Sequence, residues 1–173
     1  MKYIESEDLL GLLEKIKIHL HDMNHLFFVN TSFREVLVKK KVQTIWTVIH
    51  EERKENEFPN EEPYISLQKI AGQLGRMSNI MRRNEYNQEI IIREFMTLRG
   101  FVEQYEKNLA ALFYYEKTGF VASKVLTLQE SASLIGKSEV TMRRYVHSGK
   151  VLGIRLTRKY WIAIEELIPL LKK

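Results

Sequence analysis

The chain is 173 residues long and 45% hydrophobic, with 27 Lys+Arg against 22 Asp+Glu and a formal net charge of +5. That length accommodates one large or two small domains with a real core, and the absence of cysteine rules out disulfide frameworks and thiolate chemistry. No run of about eighteen apolar residues is present to span a membrane, and the opening Met1-Lys-Tyr-Ile-Glu-Ser-Glu-Asp lacks the uninterrupted apolar stretch of a signal peptide, so a soluble, cytoplasmic protein is expected.

Leu9, Leu12, Leu13, Ile16, Leu20, Met23, Leu26 and Phe27 recur in steps of three and four. This is the spacing of one helix face, and it predicts an amphipathic helix over roughly residues 5–29. Asn30-Thr-Ser32 breaks that helix and can cap the next. Phe33, Val36, Leu37, Val42, Ile45, Trp46 and Ile49 make a second stripe that fades into a charged run over residues 51–57. Phe58-Pro-Asn-Glu-Glu-Pro63 holds two of the three prolines and reads as a loop. Ser66 opens a third helix, with Leu67, Ile70, Leu74, Met77, Ile80 and Met81 on one face, which ends or bends over residues 82–87. A fourth stripe (Ile91, Phe95, Leu98, Val102, Tyr105, Leu109, Leu112) carries the chain to Tyr115 and a stop at Glu116-Lys-Thr-Gly119. Helices of this length read as a bundle. The first and fourth stripes also hold near a step of about 3.5 residues, as a seam between two chains would. Residues 1–120 are therefore expected to form a helical bundle that serves for homodimerisation.

After a short link over residues 120–124, the pattern tightens. Thr127 can cap a short helix, with Glu130 closing a capping box, and Ala132, Leu134 and Ile135 give that helix an apolar side. Gly136 takes the helix-ending position, where positive φ carries no steric penalty. Ser138 caps a second helix whose apolar stripe is Met142, Tyr145 and Val146, and Ser148-Gly149 ends it. Two short helices around so tight a turn make a helix-turn-helix pattern. Ile154-Arg-Leu156 and Tyr160-Trp-Ile162 then read as two strands around the basic turn Thr157-Arg-Lys159. Tyr160 and Trp161 point to opposite faces, so one of them packs beneath the hairpin.

On these residues the segment resembles the excisionase-type, MerR-like winged helix-turn-helix family. The shared positions are Leu126-Thr127, Ala132, Gly136-Lys-Ser138, Thr141, Arg144, Ser148-Gly-Lys150 and Arg155. The chain departs from that pattern at Thr157, where the hairpin tip usually has glycine, and at Ile162-Ala163, where Ile-Pro is usual. It departs again at Trp161, which stands where a basic residue is common. The resemblance covers residues 124–173 only. It implies a C-terminal winged helix-turn-helix bearing a small β-hairpin wing; with the N-terminal helical bundle read from the apolar stripes, a mainly α fold is expected. The resemblance also implies double-stranded DNA as the partner.

Charge placement points the same way. Residues 1–123 carry 17 basic and 18 acidic side chains, whereas residues 124–173 carry 10 basic and 4 acidic, the footprint of one module that meets phosphates. Arg143 and Arg144 are the expected base readers, since arginine bonds guanine O6 and N7 together; either could instead grip a phosphate, which positions without specifying. Glu139, Thr141 and His147 are helpers. Lys137 and Ser138 sit at the positive end of the helix. Arg155, Arg158 and Lys159 on the hairpin are expected against the backbone or minor groove, and Lys150 is counted among the DNA-binding residues.

Other constellations weigh less. His21 and His25 stand four apart on the first helix, but no cysteine and no third ligand accompany them, and no metal or other cofactor is expected. Lys39-Lys-Lys41 and Arg82-Arg83 read as solvated helix faces. Phosphate-loop, zinc-protease and nucleophile-elbow motifs are missing, so no enzymatic activity is expected. Three functions compete: a dimeric transcriptional regulator, which leads; an architectural DNA-binding accessory of a plasmid, phage or other mobile element; and a protein-interaction adaptor built on the bundle.

Overall fold

The structure is a computed structural model that describes residues 6–28, 34–55, 62–83 and 87–171. The described residues are mainly α-helical, with one small antiparallel sheet near the C-terminus. They form two compact units, residues 1–105 and 106–173.

In the first unit, helices α1 (Ser6–Phe28), α2 (Arg34–Glu55), α3 (Tyr64–Arg82) and the first part of α4 (Gln88–Thr118) share one core. Helices α1, α3 and α4 bury the apolar stripes read for them. Leu9, Leu12, Leu13, Ile16, Leu20, Met23 and Phe27 of α1 are buried, as are Leu67, Ile70, Leu74, Met77 and Met81 of α3. On α4, Ile91, Phe95, Leu98, Val102 and Tyr105 are buried. The Phe27 and Phe95 rings meet with centroids 5.1 Å apart, and the Tyr105 hydroxyl donates to the Leu9 carbonyl at 3.0 Å. The stripes expected to form a seam between chains are thus buried within a single chain, with Leu13 and Leu109 both fully covered.

Two helices differ from the sequence pattern. On α2, Val38, Val42, Ile45 and Ile49 point inward, while Val36 and Leu37 are exposed. Steps of four, three and four from Val38 keep one face in register, and the two preceding residues fall out of phase with it. Ser66 lies inside α3 rather than opening it; the helix begins at Tyr64, and the Ser66 hydroxyl donates to Glu62 Oε2 at 2.9 Å. The expected caps at Asn30-Thr-Ser32 lie outside the described residues, as does most of the proline loop. A buried polar pair also escaped the pattern. Gln73 Nε2 donates to both the carbonyl and a carboxylate oxygen of Glu94, each at 2.9 Å. Arg76 Nε lies 3.1 Å from that same carboxylate oxygen, so the buried charge is matched.

The second unit begins inside α4, several turns before the link at residues 120–124. Beyond α4 come β1 (Val125–Thr127), α5 (Leu128–Leu134), α6 (Glu139–His147), β2 (Gly153–Leu156) and β3 (Lys159–Ala163). A 3-10 turn (Ile164–Leu167) and α7 (Ile168–Leu171) follow. The sheet order is β1-β3-β2, with Leu126 opposite Ile162 and Ile154 opposite Trp161. β1 was not expected, because a strand of three residues is too short to display alternation.

Leu126, Leu128, Ala132, Met142, Val151, Ile162 and Leu167 form the core on one sheet face, with Tyr145, Val146 and Tyr160 packed against it. On α5 the inward positions are Leu128, Ser131, Ala132 and Ile135; Leu134 falls out of phase and is exposed, contrary to expectation. Trp161 points to the other sheet face and is fully buried, while Tyr160 stays half-exposed. The last turns of α4 cover that face. Lys107 Nζ lies 5.9 Å from the Trp161 ring, and Glu106, itself buried, accepts from the Thr157 hydroxyl at 3.0 Å. The Tyr114 hydroxyl donates to Glu166 at 3.0 Å.

Candidate nucleic-acid interface

Local chemistry fixes the two short helices. The Thr127 hydroxyl accepts from Glu130 N at 3.2 Å, and Glu130 Oε2 accepts from Thr127 N at 2.7 Å, which completes the capping box. Gly136, at φ 63, ends α5; its N–H donates to Ser133 O and that of Lys137 to Ala132 O, a Schellman closure. Gly149 and Lys150 close α6 in the same way on Val146 and Tyr145. At Gly153 an added Cβ would stand 2.7 Å from Val146 Cγ1, so β2 passes hard against α6 and only glycine fits. The hairpin turns at Thr157, whose φ of 54 is a conformation that glycine adopts more readily than a β-branched residue. Here the hydroxyl bonded to Glu106 anchors the strained residue.

The capping box gives a pH prediction. The Thr127 backbone N–H holds the Glu130 carboxyl below its ordinary range, with its hydroxyl, Lys107 and Lys124 acting in the same direction against burial. A carboxylate whose pKa falls on folding contributes stability above its unfolded pKa and loses it as pH falls through the folded one. Glu130→Gln keeps the acceptor oxygen, so stability at pH 7 should change by less than about 1 kcal/mol. The acid limb of urea denaturation, followed by circular dichroism on the full chain, should become shallower below the usual glutamate range. An unchanged acid limb would contradict this.

With the inward side of α6 given to Met142, Tyr145 and Val146, its outward side carries Val140, Arg143, Arg144 and His147 in steps of three, one and three. All four are exposed. Arg143 Nη2 lies 3.1 Å from Glu139 Oε1, an ion pair one turn apart. Ser138 Oγ accepts from Thr141 N at 3.2 Å and meets the Thr141 hydroxyl at 2.9 Å; both therefore serve the cap. Lys137 is exposed just ahead of the helix.

Tyr160 ties the end of α6 to the hairpin. Its ring takes the edge of His147 at 5.9 Å and the guanidinium of Arg155 at 5.8 Å. Lys150 caps the Tyr145 ring at 4.2 Å. Strand alternation puts Lys159 on the other sheet face, 5.9 Å from the Trp161 ring. It is thus separated from Arg155, with which it was grouped in the sequence reading. Arg158 is exposed at the turn.

The acidic residues of this module face partners within the fold. Glu130 is held in the capping box and Glu139 faces Arg143. Glu165 accepts from both the N–H and the hydroxyl of Ser123; burial raises its pKa, but these donors outweigh it and leave the carboxyl below its usual range. Glu166 accepts from Tyr114 and from Leu152 N at 3.0 Å. All four carboxylates of residues 124–173 thus have a donor or cation partner within the fold, while Lys137, Arg144, Arg155 and Arg158 are exposed at α6 and the hairpin. Sequence reasoning missed Val140, which is 62% exposed; its signal was an apolar residue out of phase with the inward stripe.

Elsewhere, Lys39 pairs with Glu35 and Lys41 with Asp22, each at 2.6 Å, so this basic run is partly neutralised on its own helices. The Lys41 hydrogen bond, opposed by burial, holds the Asp22 carboxyl low. Asp22 lies between His21 and His25 on the wall of a cavity of about 480 Å³. Among the described residues no group of three or more His, Cys, Asp or Glu is placed to hold a metal ion, and no helix is long and apolar enough to cross a membrane. No protein-family model, curated protein or solved structure matches the chain.

Proposed function

We propose that this protein binds double-stranded DNA sequence-specifically as a dimeric transcriptional regulator, with residues 124–173 acting as a winged helix-turn-helix. In this reading α6 enters the major groove, Arg143 and Arg144 read base edges, and Lys137 meets a phosphate at the helix N-terminus. The β2–β3 hairpin is the wing, with Arg155 and Arg158 toward the backbone. One observation carries the reading: an outward face of α6 bearing two arginines, in a module whose carboxylates are all engaged within the fold. Pairing through residues 1–120 belongs to the proposal because one such module covers only half a site; with the α1 and α4 stripes buried, it rests on that economy and on other surfaces of the bundle.

Fluorescence anisotropy of the full chain on duplex DNA tests it. About five phosphate contacts give a slope of log K against log salt near −4 to −5, a loss of roughly 500-fold between 50 and 200 mM. Light scattering of the complex should give the mass of two chains. A flat salt response would defeat the DNA reading, and a one-chain mass would remove the pairing.

A further inference from the structure

Val140 stands at the first turn of α6, 62% exposed, and lies outside the core cluster of this unit. The core of this unit takes Met142, Tyr145 and Val146 from the same helix, and the cap takes Ser138 and Thr141. A β-branched residue on an exposed helix face is mildly disfavoured by its restricted χ1, so the position gains nothing locally from valine. A single exposed apolar residue is ordinary on a protein surface. Val140 differs by its place, on the same outward face as Arg143, Arg144 and His147 and nearest the helix end that meets base edges in docked helices of this kind.

We infer that Val140 reads the 5-methyl group of a thymine in the major groove. The inference rests on the DNA-binding reading and names what that site recognises. Only thymine among the standard bases presents a methyl there, and apolar side chains contact it. Glu139 and Thr141, the flanking residues, do not compete for it: a carboxylate gains nothing against a methyl group, and the Thr141 hydroxyl is bonded to Ser138. Spacing adds a constraint. Val140 precedes Arg143 and Arg144 by three and four residues, about 4.5–6 Å along the axis at 1.5 Å per residue, which is one to two base steps of about 3.4 Å. The thymine therefore lies within two base pairs of a guanine bonded by one of these arginines.

The test selects duplexes from a random pool with the full chain and then replaces each thymine of the enriched site, one at a time, by deoxyuridine, which removes only the methyl. One position per half-site, within two base pairs of a guanine, should weaken binding about fourfold, the worth of one buried methyl group. Val140→Ala, which favours the helix and at an exposed position has little effect on its folding, withdraws both γ-methyl groups and should discriminate thymine from uracil clearly less than the wild type. Val140→Thr, which keeps a methyl, should retain the difference. If every uracil replacement is neutral for the wild type, or if Val140→Ala keeps the full discrimination, the inference is overturned while DNA binding stands. If no duplex is enriched, the DNA-binding reading fails and takes the inference with it.

Discussion

Replacing Arg143 and Arg144 together by alanine should cost about 2–6 kcal/mol of cognate DNA affinity, since a bidentate base contact is worth about 1–3 kcal/mol. The two side chains do not start from the same state. Arg143 must leave Glu139 to reach a base, but both partners are about half-exposed (58% and 48%), and an exposed pair contributes less than about 1 kcal/mol. Removing Arg143 alone leaves the Glu139 charge beside the phosphates without the neighbouring cation that offsets it, so Arg143→Ala should be partly rescued by a second change, Glu139→Gln. Among the described residues Arg144 has no ion pair to release, and Arg144→Ala should act independently of Glu139. Anisotropy titrations on cognate and random duplexes separate the roles. Preferential loss on the cognate duplex marks base reading; equal loss on both would make the arginines phosphate clamps and refute their assignment as readers.

Trp161→Ala should have the largest effect on stability. The side chain is fully buried between the hairpin and the last turns of α4, and truncating such a residue costs about 3–5 kcal/mol, a large part of the 5–15 kcal/mol typical of a whole domain. Its indole N–H has no hydrogen-bond partner among the described residues, so Trp161→Phe gives up volume without orphaning an acceptor and should be markedly milder. Circular dichroism during urea denaturation of the full chain should show an early transition for the alanine variant, leaving the helices of residues 1–105 to unfold later. A loss below about 1 kcal/mol would contradict the packing described for the sheet.

Much of this architecture was legible in the residues themselves, for reasons that differ by element. The stripes of α1, α3 and α4 were readable because long helices repeat their inward face many times. The caps at Thr127 and Ser138 and the glycine closures were readable because they are local chemistry, set by residues three or four apart. Val36 and Leu37 misled because a short stripe can be phased in more than one way, and Val38 decides between them only once α2 packs. β1 was invisible because its pairing partner, β3, lies more than thirty residues away in the chain, and three residues carry no period of their own. Within the candidate site, the exposed arginines were predictable from type and position. The contacts of His147 and Arg155 with the Tyr160 ring depend on tertiary geometry and were not.

The continuity of α4 bears on how this module could be moved. An exchange of gene segments, or an engineer building a chimaera, would naturally choose a breakpoint in the exposed stretch Phe120-Val-Ala-Ser123. That join would strip Glu106, Lys107 and Tyr114 from the transferred piece, leaving Thr157, Trp161 and Glu166 without the partners that α4 supplies. The transplantable segment instead starts upstream of Glu106, in mid-helix, where any new fusion must continue the helix in register rather than attach through a flexible joint.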